Sequence, residues 1–341
     1  MAELYVIAAH LYEVLQDYTS ALKYLKKTLK RRPDHLLALS RLWNCYEQLE
    51  TYQDAVVYLT ALLDRAPYAH WAWYTLGLAY RYLSDPVSAA DAFDYAIVSE
   101  ERFEPAYWHR IDCLIELDQY GEALDYLERT RENFGEDADL WFRYGQCCEY
   151  QGDYTKARQY YLEALKDHNM NGRVHYALGQ CYLEEEAWYK AKEAFLQAYA
   201  ADKYNEAFCL SLADIYDILD EVGKAHEFYH RALGLAPNLI RTWLHYFEFL
   251  IDEESHSLAL ELVEEARQYV DGVLLDYAHA AILLDQGRRQ EGFVVLGHAL
   301  VQDYSKRQYL FRLAPNLEED TALQRFISDY QVDDYLEPEE G

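Results

Sequence analysis

Alanine stands at positions 21, 55, 89, 123, 157, 191, 225 and 259, each 34 residues after the last, and Phe293 occupies the next place in the series. A period held through nine units means an array of like elements, not a single core. Other residues recur with it. Sixteen before that place comes a bulky residue (Tyr5, Leu39, Trp73, Tyr107, Trp141, His175, Cys209, Trp243, Tyr277), and twelve before it a small one in most units (Ala9, Gly77, Gly145, Gly179, Ala213, Ala281). An aromatic precedes the Ala by three at Tyr18, Tyr52, Tyr120, Tyr154 and Trp188, a second Ala follows by seven at 96, 164, 198, 232 and 266, and Pro33, Pro67 and Pro237 close some units.

Large residues facing small ones across two antiparallel helices let the axes approach closely. Each unit therefore reads as a helical hairpin. Gln16-Asp17-Tyr18 and Gln151-Gly152-Asp153 mark turns inside units, where Asp and Gly tolerate the backbone geometry. A lone hairpin cannot bury its apolar face, so stacking supplies the core. Composition agrees: 341 residues exceed the roughly 250–300 at which one core stops growing. With 14 Gly and 7 Pro, turn formers are too few for a many-stranded sheet protein.

The pattern resembles the tetratricopeptide repeat family, with Trp73-Tyr74-Thr75-Leu76-Gly77-Leu78-Ala79-Tyr80 among the best-matching stretches. The resemblance implies an all-α fold: a right-handed superhelical solenoid of nine 34-residue helix-turn-helix units over residues 2–307. Ile111 and Phe247 depart from it where small residues are expected, and Phe293 where the central Ala is expected. Residues 308–332 are expected to cap the array, with one closing helix from Leu317 to Tyr330, and 333–341 form an acidic tail. The chain begins directly inside the first unit without a comparable cap. Both a fragment of a longer protein and a natural start fit this, and self-association through the first unit is one expected contact.

The same resemblance places the first helix of each unit on a concave inner wall. The second, fifth, ninth, twelfth and thirteenth residues of successive units then give Trp71, Tyr74, Leu78, Arg81 and Tyr82; Trp108 and Asp112; Phe142, Gln146 and Tyr150; Tyr176 and Gln180. Asp214, Asp217, Glu248 and Asp252 follow, so the wall is aromatic and then acidic. Single aromatics on such a wall often only pack against the adjoining helix, but clustered ones interspersed with Gln, Asp and Arg offer anchors and hydrogen bonds to a peptide. The expected partner is a protein or peptide client carrying apolar anchors and Lys or Arg. A carboxylate clamp for acidic C-termini, known in the resembling family, wants Lys and Asn there. Only Asn44 is suitably placed.

Other chemistry is weak. His226-Glu227-Phe228-Tyr229-His230 spells a zinc-peptidase motif. It lies on a second helix between the Ala225 and Ala232 packing positions, so two solvent-facing His are the expectation. Cys45, Cys113, Cys147 and Cys181 share one place in the unit, but stacked units separate them by about 9–10 Å, far beyond zinc bonding; they read as small core residues. No phosphate loop or nucleophile elbow is present. The expectation is a non-enzymatic scaffold needing neither metal nor other cofactor, with a structural assembly element or a regulatory arm of a larger protein as the alternatives.

Charge and segments bound the rest. Against 60 acidic residues stand 31 basic, a net charge of -29, which excludes nonspecific nucleic-acid binding. One exception is Lys23, Lys26, Lys27, Lys30, Arg31 and Arg32 on the first unit. No apolar run reaches the roughly 18 residues of a membrane helix, the N-terminus has no basic leader, and six Cys in this chain do not suggest a disulfide framework. A cytoplasmic location is expected.

Overall fold

The computed structural model describes residues 2–166 and 171–331. Among these there is no strand, and the helices follow one another in pairs, an all-α helical-repeat solenoid. The chain divides into two compact units, Met1–Met170 and Asn171–Gly341. In the first, α1 (Ala2–Val14) pairs with α2 (Tyr18–Leu29), α3 (Leu36–Leu49) with α4 (Tyr52–Leu63), and α5 (His70–Tyr82) with α6 (Pro86–Ser99). Then α7 (Glu104–Glu116) pairs with α8 (Tyr120–Phe134), and α9 (Ala138–Tyr150) with α10 (Tyr154–Ala164). The second unit contains the pairs α11 (Asn171–Glu184) and α12 (Trp188–Ala201), α13 (Glu206–Ile218) and α14 (Val222–Leu235), α15 (Ile240–Asp252) and α16 (His256–Ala266), α17 (Val273–Asp285) and α18 (Arg289–Gln302).

The turn within each pair is set by one left-handed residue. Gln16, Glu50, Ser84, Asp118, Glu186, Asp220 and Glu254 all have φ between 53° and 59°, and Gly152 takes the same place at 77°. These positions repeat every 34 residues. The following residue opens the second helix, and where it is Asp its carboxylate caps it: Asp17 accepts from the Ser20 N–H, Asp85 from Ser88 and Asp153 from Lys156, at 3.0–3.1 Å.

Close pairing follows the large-to-small rule. A Cβ added at Gly77, Gly145 or Gly179 would lie 2.3–2.6 Å from a ring atom of Phe93, Tyr161 or Phe195. No side chain but hydrogen leaves room for these rings. Where the first helix carries a larger residue the second carries a smaller one: buried Ile111 and Phe247 stand sixteen residues before buried Leu127 and Val263. The departures noted in the sequence at 111 and 247 are thus compensated in volume.

The last pair corrects the expected period. Its left-handed residue is Gly287, one place early, and the buried small residue five further on is Gly292, whose added Cβ would lie 2.6 Å from Leu284 Cγ. Phe293 therefore does not replace the central Ala. α17 begins 33 residues after α15 instead of 34, so the turn and α18 shift by one, and Phe293 turns outward to meet Phe326 with ring centroids 4.7 Å apart.

Beyond α18 the sequence suggests one closing helix from Leu317. Two form instead: α19 (Gln308–Leu313) and α20 (Thr321–Ser328), separated by a 3-10 turn at Pro315–Glu319. Pro315 keeps Ala314 out of the helical conformation (φ -137°, ψ 79°), which ends α19. Asp320 then caps α20 by accepting from the Ala322 and Leu323 N–H groups. Leu310, Leu313, Leu317, Leu323 and Ile327 are buried by this layer. Residues 333–341, read as an acidic tail, lie outside the described residues.

Candidate functional site

The first helix of each pair carries the residues singled out as a wall, and the helical period fixes which of them pack. In the first unit the aromatic ones largely engage one another. Trp71 lies edge-on to buried Phe103 with centroids 4.5 Å apart, and half-buried Tyr74 touches Phe93, Phe103 and His109. Leu78 packs into the same cluster. The Trp108 indole donates to Glu104 at 3.2 Å and its face is covered by the Arg143 guanidinium at 5.0 Å. Arg143 in turn donates to Asp112 at 3.0 Å, and Arg81 reaches Asp112 at 3.7 Å and Glu116 at 2.5 Å.

Phe142 is buried against Tyr161, so its ring is core, while Gln146 is half-buried. Tyr82 and Tyr150 remain most open, 52% and 57% exposed. Each rests on a platform: Tyr82 stacks on Tyr52 at 4.8 Å and donates to Glu47 at 2.7 Å, and Tyr150 stacks on Tyr120 at 5.5 Å. Stacking fixes the ring without hiding its outer face, which suits a contact residue better than a mobile side chain.

The second unit differs in charge and shape. Tyr176 of α11 packs on Phe195 and Phe208, and Gln180 donates to the Ser211 hydroxyl at 3.4 Å. With Leu183, Ala207, Leu210, Asp214, Arg241 and His245 they line a cavity of about 280 Å³. A second cavity of about 280 Å³ lies between α15, α17 and α19, lined by Ile240, Arg241, Leu244, His245, Glu248, Leu274, Tyr309, Arg312 and Leu313. Arg241 and His245 belong to both.

Asp214 accepts from the Tyr229 hydroxyl at 2.8 Å and from His245 Nδ1 at 3.3 Å, and this bond raises the His245 pKa. One helical turn along α13, Asp217 is pushed up to about 6 by burial and by the neighbouring carboxylates of Asp252, Asp214, Glu253 and Glu248. Burial likewise raises Glu248 and Asp252, the latter helped by Asp285, while Arg312 opposes the rise at Glu248. The carboxylates of this face are thus both partly desolvated and close enough to repel one another. The wall pattern led to Asp214, Asp217, Tyr176 and Gln180 but not to Tyr309 and Arg312, because those come from α19, beyond the repeats.

The zinc-peptidase spelling has a different role from the one expected. His226 Nδ1 and His230 Nε2 lie 2.8 and 3.0 Å from the same hydroxyl, that of buried Tyr246, so the two rings serve the contact between α14 and α15. They do not simply face solvent. Among the described residues no group of three or more His, Cys, Asp or Glu is placed to hold a metal. Cys45, Cys113 and Cys147 are buried, and burial pushes each thiol up to about 12.

Comparison with known proteins bears on what such a wall is for. A family model described as tetratricopeptide repeat matches residues 8–70, 112–169 and 149–206. The chain is a tetratricopeptide-repeat protein. Its structure is similar to that of yeast Tom70, at 15% identity and a TM-score of 0.55 over 96% of this chain and 84% of that one. It is also similar to a tetratricopeptide repeat protein from Parabacteroides merdae, at 14% identity and 0.54 over 69% and 93%. A third likeness is to the APC/C hetero-tetramer Cut9-Hcn1, at 17% identity and 0.50 over 70% of this chain, which spans about half (51%) of that chain. At these identities the likeness is one of fold. No curated protein matches the sequence. Tetratricopeptide-repeat chains are in general non-enzymatic, and this one has the construction of a protein–protein interaction scaffold. No helix among the described residues is long and apolar enough to cross a membrane.

Proposed function

We propose that this tetratricopeptide-repeat protein binds a client segment carrying Lys or Arg together with apolar side chains, and that the cationic part is recognised on the α13–α15 face of the second unit. The observation that carries this is the crowding of Asp214, Asp217, Glu248 and Asp252 beside two cavities of about 280 Å³ each. Burial first, and then the neighbouring carboxylates, raise the pKa of Asp217, and a bound ammonium or guanidinium group would offset both by favouring its charged form. The cavities have apolar sides, Tyr176, Leu183 and Leu210 in one and Leu244, Leu274 and Leu313 in the other. These suit aliphatic or aromatic anchors. Tyr82 and Tyr150 of the first unit are a separate pair of contact candidates.

Selection of a displayed random-peptide library on the immobilised protein tests the reading. Enriched peptides are expected to combine basic and apolar residues, to bind less tightly in high salt, and to lose affinity when Asp217 and Glu248 are changed to Asn and Gln. Enrichment of acidic peptides, or binding indifferent to those changes, would remove the proposal.

A further inference from the structure

Two charged groups that line the cavity between α15, α17 and α19 have no partner in the fold. Glu248 reaches it from α15 and Arg312 from α19, and neither makes a hydrogen bond or an ion pair with another described residue. Arg312 lies near enough to oppose the rise that burial gives the Glu248 pKa, so the two charges act on each other without meeting. Arg241, a further cation in the lining, is already bound to Glu206 at 3.1 Å. Ile240 and Leu244 of α15, Leu274 of α17 and Leu313 of α19 supply aliphatic sides.

The opening follows from the capping layer. α19 begins 35 residues after α17, in the place of a further first helix, but it has six residues where α13, α15 and α17 have thirteen each. At 1.5 Å per residue it covers only about 9 Å of the helices beneath it.

We infer that this cavity binds a small aliphatic α-amino acid, with its carboxylate on Arg312, its ammonium group on Glu248 and its side chain among Ile240, Leu244, Leu274 and Leu313. The two unspent charges select this class. A simple cation gains from Glu248 but loses to Arg312 and to the His245 ring, whose bond to Asp214 favours its charged form. A simple anion gains from Arg312 and loses to Glu248. A ligand carrying both charges gains at both ends, through two charged hydrogen bonds. Size agrees, since about 280 Å³ falls just below the roughly 300–1,000 Å³ of sites for drug-sized ligands. This ligand is distinct from the client segment and shares only Glu248 and the sides of one cavity with it.

Isothermal titration calorimetry of the full chain with L-leucine, N-acetyl-L-leucine and L-leucine amide provides the test, because the two derivatives each keep a single charge. L-leucine is expected to bind, and each derivative to bind about tenfold more weakly or worse, as the loss of one charged hydrogen bond implies. Arg312→Gln and Glu248→Gln should each weaken L-leucine by a similar factor with an unchanged circular dichroism spectrum, and Asp217→Asn should leave its affinity as it is. Should either Gln variant misfold, the three ligands on the wild-type chain still decide. Basic peptides from the library should respond in the opposite way, losing affinity with Asp217→Asn and not with Arg312→Gln, so the two readings fail separately. No binding of L-leucine, L-isoleucine or L-valine would overturn the inference. So would N-acetyl-L-leucine binding as tightly as L-leucine, which would make the cavity a seat for a peptide C-terminus, or L-leucine binding that Arg312→Gln leaves unchanged.

Discussion

Gly145→Ala provides the sharpest test of how the hairpins pack. In the middle of α9 an Ala is favoured over Gly by about 1 kcal/mol on helix propensity alone. The added methyl would lie 2.3 Å from Tyr161 Cε1, 2.5 Å from Cδ1 and 2.9 Å from Cζ. Carbon atoms in contact prefer about 3.5–4 Å, so the ring must retreat by more than 1 Å. Tyr161 is fully buried, and its hydroxyl is held by Glu149 on the same α9 helix, so retreat moves α10 as a body. Overpacking of this kind costs about 1–3 kcal/mol, which offsets the propensity gain of about 1 kcal/mol and leaves a net loss of up to about 2 kcal/mol. Gly234 of α14 is the control: nothing lies within 4 Å of its added Cβ, so Gly234→Ala should keep the gain, up to about 1 kcal/mol. Because repeat arrays need not unfold in one step, urea midpoints by circular dichroism should be paired with hydrogen exchange. Protection should fall first in peptides from α9 and α10. Should Gly145→Ala stabilise the chain as much as Gly234→Ala does, the close-approach account of the pairing is wrong.

Ser84→Gly should raise stability by up to about 1 kcal/mol, since a left-handed residue is strained with a side chain and relaxed without one; an unchanged urea midpoint would show the turn to be unstrained. Tyr246→Phe should cost about 1 kcal/mol by orphaning His226 and His230, whereas Glu227→Gln should be neutral and the purified chain should carry no stoichiometric zinc, both checked by thermal melts and elemental analysis. Asp217 holds its proton more tightly in the folded chain, so stability should fall as pH rises from about 4 to about 6. Asp217→Asn should recover about 1 kcal/mol above that window, the solvent-screened part of the effect, and nothing below it. With any peptide recovered by selection, Asp217→Asn with Glu248→Gln should slow association and flatten its salt dependence in surface plasmon resonance.

The period was legible in the sequence because packing demands a small residue at one place in each unit, and a 34-residue spacing of Ala cannot persist without that demand. It misled at one point. Counting by 34 from Ala259 lands on Phe293, but the early start of α17, 33 residues after α15, puts Gly292 in the packing place. Nothing in the spacing of alanines could register one missing residue after Ala259; the clue was Gly287, a glycine one place before the recurring turn position. The wall was legible by position and not by availability. Tyr74, Trp108 and Phe142 occupy the expected turns of their helices, yet neighbouring rings or guanidinium groups cover them. For that reason Tyr74→Ala would confound lost binding with lost packing, and Tyr82 and Tyr150 are the better probes.

The two kinds of wall residue differ in what holds them. An aromatic ring on a first helix gains contacts from the start of the next hairpin, so its presence is explained by the fold, and in the first unit Trp71, Tyr74 and Trp108 are explained in that way. A carboxylate gains nothing from being crowded with others. Asp214 has a structural reason, since it holds the Tyr229 hydroxyl and His245. For Asp217 the balance is adverse: burial and the nearby carboxylates raise its pKa toward neutrality, so its charge weakens the folded state in which it sits. A cationic ligand at this face reverses that sign, because it lowers the pKa and strengthens the folded state by the same interaction. Binding should then release protons between about pH 5 and 7, around the raised pKa. Neutral apolar ligands seated in the cavities alone would release none. Proton release measured by calorimetry in buffers of different ionisation enthalpy therefore separates recognition by the carboxylates from simple filling of the pockets, and an uptake of protons on binding a basic peptide would contradict the electrostatic account.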